Sequence, residues 1–526
     1  MRPRQARPYR PVRKVPFLMR SPAIRMLVLS TSLALAAGCS AVQHDAIPAG
    51  PGAGSADVLA RPHAVSCSSL KPWNPNATPP QGLTVGAIGG VGKTGLPVTI
   101  VNKSGYSNGQ IFLYATAINA VSGSAENGQY YYLKTDGSLQ YFANGTAAPG
   151  FQLSCFPGSL GVKGKQQFVI PASAASGRLW IAIAPSAPLP GPASNPLPIV
   201  GVALPTPNPG APTSPPGTPT VGVSEPAPWS VNNVIFDVVE YALAPAASPN
   251  LDLTQVDYMG LPLELQPNPG TPIGIEAANV PALVAKFKSD ARFAPLLNYS
   301  TFDGQNTLTS IYSPKHLMTA QQLDSLDGYF NDYLEKVVMP AYEANMNPKS
   351  ASYHTMWIQI EPLMTGIPLE ASQKAYYVGY DAAAERFVFT PCTAGVCKAG
   401  AAGLASGEVS FSKNALSSIN IFSNNQFTIS AADPVYYLLK AMTTDLNRGV
   451  ATLPGQHPAA PTSTQPFYSD KTPHSDYSEY MHEFALGHEA YGFGWDDCCG
   501  SFASSNDTSI TSSVTGVTIT IGPIQH

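Results

Sequence analysis

Apolar and polar residues alternate through much of this chain with the two-residue period of β-strands. Short β-branched or aromatic runs at Leu96 to Val101, Gln110 to Ile118, Gln129 to Lys134, Leu139 to Phe142, Gln167 to Ile170 and Arg178 to Ala184 are parted by Gly, Asn and Ser turns. That spacing predicts a β-sandwich or barrel. Between Val234 and Leu265 the alternation is most informative. Val234, Phe236, Val238 and Glu240 share one strand face, and Gln255, Asp257 and Met259, with Thr254 on the same short strand, form a second run that Gly260-Leu261-Pro262 stops or bends. After Pro262 the period lengthens to about 3.6. Val280-Pro281 opens a helix to Lys288, and Thr319 with Gln322 makes a capping box. Leu323, Leu326, Phe330, Tyr333, Leu334 and Val337 form a helical stripe before Pro340. Strands are predicted at Met356 to Ile360, Tyr376 to Tyr380, Arg386 to Thr390, Glu408 to Phe411 and Ile419 to Ile429. Asp433-Pro434 caps a helix that closes at Gly449. Strand character returns at Tyr491 to Asp497 and Thr515 to Ile521.

The pattern predicts a mainly β protein with α+β character. A β-barrel or sandwich domain over 84–265 is interrupted by a mixed α/β domain over 266–484, and residues 485–526 return to the first domain. Prolines every two to four residues make 185–228 an excursion in which no packed element is expected.

Composition adds a leader and a charge. Residues 1–25 carry seven Arg and one Lys with no acid, and the apolar run Met26 to Ala37 precedes Gly38-Cys39-Ser40. That is a secretory signal over 1–38, too short to span a membrane. Ala-Ala-Gly-Cys resembles a bacterial lipoprotein processing site, which would make Cys39 the lipidated residue and place the chain in the cell envelope; ordinary cleavage would release it as a secreted protein. Residues 39–83 read as a Pro, Ala, Gly and Ser rich tether. Removing the signal leaves 21 basic against 33 acidic residues, a net charge of about −12 that argues against nucleic acid as a partner. Six further cysteines, Cys67, Cys155, Cys392, Cys397, Cys498 and Cys499, fit an oxidising compartment, with Cys392 and Cys397 paired across a short turn.

Two motifs are set aside. Gly92-Lys93-Thr94 ends a loose phosphate-loop pattern, but a strand follows where a helix is required. His482 and His488 stand six apart, not the four that would aim both at one ion, so neither a metal nor another cofactor is expected. Candidate chemistry rests on Glu240 and Asp257. Burial along its apolar row should raise the Glu240 pKa, and a protonated acid facing an ionised carboxylate can hydrolyse a glycosidic bond. The other reading leaves Glu240 in water at a sheet rim and Asp257 accepting turn hydrogen bonds.

Four stretches in order, Leu96 to Asn102, Tyr132 to Phe142, Thr254 to Leu263 and Ala490 to Asp497, resemble glycoside hydrolase family 64, the β-1,3-glucanases with a thaumatin-like barrel. The resemblance implies a wide groove between barrel and α/β domain, β-1,3-glucan as partner, inverting hydrolysis and release of laminari-oligosaccharides. By the same match Glu240 is the general acid and Asp257 the general base. Thr254 would meet the sugar, and Tyr106, Tyr131, Tyr141 and Trp180 are the aromatic candidates for stacking on pyranose rings. The chain departs from the family pattern in Ala242 to Asn250, poor in polar and aromatic groups, and in the Asp-Asp-Cys-Cys-Gly that ends the last motif. A non-catalytic glucan-binding or envelope interaction lipoprotein of the same fold is the alternative. The chain is expected to be a monomer.

Overall fold

The computed structural model describes residues 95–526 except 120–128, 134–138, 156–164, 172–173, 185–196, 204–220, 225–233, 244–249, 320–325, 361–373, 425–432, 460–465, 497–506, 510–513 and the single positions 146, 149, 198, 405 and 495. The signal, the tether, Cys39, the phosphate-loop pattern, Cys67, Cys498 and Cys499 lie outside them.

Nine consecutive buried residues in the strand Ile111–Asn119 betray a sheet covered on both faces. That strand belongs to an eight-stranded sheet in which it neighbours Ala174–Ile183, followed by Ile235–Ala242, Asn250–Leu253 and Asp507–Ser509. On one face Leu113, Leu179, Ile181, Ile235 and Val239 pack against Leu96, Val98, Leu265, Val517 and Ile519 of a five-stranded sheet. On the other face Phe112, Trp180, Phe236 and Val238 join a second core built largely from the helices and strands after residue 275. The large sheet is therefore the middle layer, and the side of each residue follows from its parity along the strand.

The five-stranded sheet joins the first described strand to the last. The final strand Gly516–Ile521 runs parallel to Gly95–Asn102 and antiparallel to Leu263–Asn268. Leu263–Asn268 alternates buried and part-exposed positions, as a strand with one covered face must, although the sequence placed the switch to helical period before it. A hairpin, Leu297–Phe302 with Gln305–Tyr312, is a second addition, and it pairs with Tyr258–Met259.

The later block holds a five-stranded sheet in the order Val409–Ser412, Arg386–Pro391, Ala375–Asp381, Met356–Gln359, Gly455–His457. Pro434–Arg448 is the helix with the clearest local cause. Asp433 accepts from the Val435 N–H at its start, and Gly449, at φ 72°, closes it. Cys392 and Cys397 form a disulfide, as expected.

Several elements correct the sequence reading. Thr319 lies in the helix Pro314–Thr319, and Gln322, its partner in the expected capping box, falls outside the described residues. Of the stripe, Tyr333, Leu334 and Val337 lie in a helix that opens at Asn331 and continues through Pro340 to Met346, while Leu326 and Phe330 sit in the turn before it. The missing Pro340 N–H is accommodated by a wide turn over Leu334–Val338, where the Met339 N–H reaches Leu334 O, and Val337 points outward. Ser418–Ser423 is helical where a strand was predicted, its short apolar run being ambiguous between the two. Tyr491 to Gly494 form no strand. Within the Pro-rich excursion Val200–Ala203 and Val221–Ser224 pair as a ribbon, and Leu197 and Ile199 are buried: the proline-free run Ile199 to Ala203 is long enough to pair.

Candidate active site

Glu240 stands on the strand Ile235–Ala242, on the face shared with Phe236 and Val238, as its parity requires. Its direct neighbours across the sheet are Arg178 on one side and Asp252 on the other. Arg178 donates from Nη2 at 2.6 Å and from Nε at 3.0 Å to Glu240 Oε1, a charge-assisted pair that fixes the carboxyl group at the sheet surface. The apolar row therefore ends against a cation, a partner that the row alone did not disclose. Asp252, 8% exposed, sets a second carboxyl group beside Glu240.

Asp257 is held differently. Thr254 to Asp257 form no strand, so Thr254 and Asp257 do not share one as the alternation suggested. Tyr258 pairs with Tyr312, and the Ser313 N–H donates to Asp257 O at 3.0 Å. The helix Pro314–Thr319 begins at the next residue, and its first turn brings Lys315 Nζ to 2.9 Å and His316 Nε2 to 2.8 Å from Asp257 Oδ1. The Lys315 ammonium donates to that oxygen in a charge-assisted hydrogen bond.

The loop is pinned from both sides. Upstream, Gln255 exchanges hydrogen bonds with the Tyr491 backbone, and the Tyr477 hydroxyl donates to Gln255 O at 2.6 Å. Downstream, the N–H groups of Gly260 and Leu261 both donate to Asp237 Oδ2 at 2.9 Å, and Asp237 lies three residues before Glu240. Asp237 thus joins the strand of one acid to the loop of the other. Burial pushes its carboxyl up to about 7, while these N–H groups and that of Val238 pull the other way.

Tyr258 brings the two acids into one field. Its phenol is buried and held well above the usual value, first by desolvation and then by the charges of Asp237 and Asp257; Arg178 opposes them and Glu240 adds to them. Glu240 and Asp257 side chains retain 28% and 26% exposure, so both remain open to solvent.

The remaining candidates sit elsewhere in function. Tyr131 and Trp180 are 1% and 2% exposed and belong to the two cores, so neither offers a ring face to a sugar. Tyr106 packs edge-on to Phe302, and Tyr141, partly buried, accepts a hydrogen bond from Asn119. Thr254 is buried, its Oγ1 accepting from the Val256 N–H at 3.3 Å. His482 is a satisfied core histidine, with Nε2 at 2.8 Å from Asp496 Oδ2 and Nδ1 at 2.9 Å from His488 O. Arg178, Lys315, His316, Asp237 and Tyr258 were not singled out beforehand. Arg178 opens a predicted strand, but nothing in the sequence pairs it with Glu240.

Comparison with known proteins follows this geometry. The family model described as β-1,3-glucanase, glycoside hydrolase family 64, matches residues 94–347 and 387–521, more than half of the chain. Among solved structures, a laminaripentaose-producing β-1,3-glucanase in complex with laminaritetraose is similar at a TM-score of 0.55 and 17% identity, covering 81% of this chain and 98% of that one. A β-1,3-glucanase domain from Clostridium beijerinckii gives a TM-score of 0.49 at 16% identity, covering 82% of this chain and 99% of that one. A search of curated proteins finds no match. The Glu240 strand, the Asp257 loop, the Lys315 helix and the final strand all lie inside the matched residues, and the chain belongs to the β-1,3-glucanases of glycoside hydrolase family 64.

Proposed function

We propose that this glycoside hydrolase cleaves β-1,3-glucan with inversion, Glu240 acting as general acid and Asp257 as general base. The observation that carries the reading is the Asp237 link: three residues before Glu240, its carboxyl group accepts from Gly260 and Leu261 just after Asp257, and so ties together the strand and the loop of two carboxyl groups that both stay partly exposed. Asp257 begins ionised beside Lys315 and His316 and takes a proton from water as its oxygen attacks the anomeric carbon. The bond from that carbon to the glycosidic oxygen breaks, and the departing oxygen receives the proton of Glu240. Solvent then restores both carboxyl groups. Glu240 must enter this step protonated. Inversion requires room for the water, with carboxyl groups roughly 6.5–9.5 Å apart.

The solved relative in complex with laminaritetraose supports β-1,3-linked glucan as the substrate. The leader and Cys39 support export and a lipid anchor. Proton NMR of laminarin digestion, read before mutarotation, tests the stereochemistry. The α-anomer of the new reducing end is expected first; the β-anomer would establish retention and remove Asp257 as a base.

A further inference from the structure

We propose that His474, Asp476 and Glu479 form a binding site for a divalent cation of the Zn²⁺ class, outside the glucan-cleaving site. His474 is 5% exposed. Its Nδ1 lies 2.7 Å from Thr472 O, which can only accept, so Nδ1 carries hydrogen and the lone pair of the neutral ring is on Nε2. Nε2 is buried and has no hydrogen-bond partner. Yet Glu479 Oε2 lies 3.4 Å from it and Asp476 Oδ1 3.5 Å, and all three atoms lie within 4.8 Å of one another. A lone pair facing two carboxylate oxygens is repulsive unless a positive centre sits among them. Ligand atoms on a tetrahedral ion with bonds of about 2.0–2.1 Å stand about 3.4 Å apart, and they lie off the axis of the ring nitrogen, where no hydrogen bond forms.

The surroundings are those of a ligand set. Arg292 Nη2 takes the other Asp476 oxygen at 2.8 Å and leaves Oδ1 for the site. Tyr329 donates to His474 O at 2.8 Å, and the Nδ1 bond to Thr472 orients the ring, as outer partners of metal-bound histidines do. Asp476 and Glu479 stand three apart in the first turn of the helix Asp476–Phe484, hence on one face, and Ser475 caps that turn by accepting from Ser478. One nitrogen and two carboxylate oxygens leave a fourth position for water. The competing occupant is a proton. Burial, the largest influence on His474, works against the imidazolium, but Glu479, the Thr472 carbonyl and Asp476 outweigh it and raise the pKa.

An ion here would fasten the start of the helix whose Tyr477 holds the Gln255 carbonyl, two residues before Asp257. It would stiffen the loop of the base without touching substrate.

The test uses the tag-free full chain, stripped with EDTA and dialysed, then titrated with ZnCl₂ by calorimetry near neutral pH, with a parallel thermal melt. One Zn²⁺ per chain and a Tm raised by several degrees are expected. His474→Gln and Glu479→Gln should each weaken binding by at least about tenfold and remove the Tm rise. Glu479 is partly exposed and its Gln replacement keeps the shape, so that variant decides the matter if His474→Gln does not fold. Absence of binding by the parent chain, or binding equally tight in Glu479→Gln, would overturn the site and assign the proton in its place.

Discussion

The two acids belong to structures of different kind. Glu240 projects from the middle layer of a stacked β-fold, and its partner Arg178 is fixed by direct cross-strand register. Asp257 projects from an irregular loop whose position depends on the hairpin that ends at Tyr312, the helix after it, Tyr477 and Tyr491. The face that a sheet residue presents is determined by a few residues on either side. A loop position is assembled from segments up to 236 residues away. The face of the proposed proton donor thus rests on local pattern, whereas the placement of the proposed water-activating carboxylate rests on tertiary consensus.

This contrast is open to direct attack, beginning with the largest effect. Asp257→Asn removes the proposed base while keeping its shape, and kcat on laminarin should fall roughly 10²–10⁴-fold in a chain that still folds; turnover near that of the parent would leave the loop with no part in the chemistry. Lys315→Met removes a cation whose side chain is 5% exposed and whose Nζ lies 2.9 Å from Asp257. Steady-state kinetics should show kcat reduced by roughly tenfold to hundredfold. If KM alone changes, Lys315 binds sugar and does not orient the base.

Gly260→Ala tests where loop and sheet meet. A Cβ there would lie 1.9 Å from Phe236 O, so the strand carrying Glu240 and the turn after Asp257 must part. Denaturant unfolding should show a loss of about 1–3 kcal/mol, and activity should fall with it. Full stability would mean that the two segments are less firmly joined than Asp237 suggests.

Asp237 gives the smallest effect, a slope in pH. With its carboxyl at about 7 in the folded chain and near 3.8 in the unfolded one, the unfolded state binds fewer protons between those values. The contribution of Asp237 to stability is therefore full below about 4 and declines as pH rises toward 7, by at most about 1.4 kcal/mol per unit. Asp237→Asn should flatten the change in denaturant midpoint over that window. An identical slope in the variant would show that Asp237 is ionised throughout.

How much of this was legible follows from the same contrast. The face of Glu240 came from the period of Val234, Phe236 and Val238, and the helix Pro434–Arg448 came from Asp433 and Gly449, because caps and parity act within a few residues. The setting of Asp257 did not. Its neighbours Lys315 and His316 arrive only because Tyr258 pairs with Tyr312, a contact 54 residues distant that no local period encodes. One signal was present and unread: Phe302-Asp303-Gly304-Gln305 is a two-residue hairpin turn, with Asp303 at φ 50° and Gly304 at φ 80°. Reading it would have exposed the hairpin, though not its docking beside Asp257. Two of the aromatic candidates offer no ring face for another reason. Tyr131 and Trp180 lie on a sheet covered on both faces, where alternation no longer separates core from surface.

The division of labour between the acids is tested most directly by comparing Glu240→Gln on laminarin and on a dinitrophenyl laminari-oligosaccharide, whose leaving group departs without a proton. The account predicts a kcat/KM loss of roughly 10²–10⁴-fold on laminarin and less than about tenfold on the activated substrate. Equal losses on both, or turnover of laminarin at the parent rate, would contradict Glu240 as the general acid.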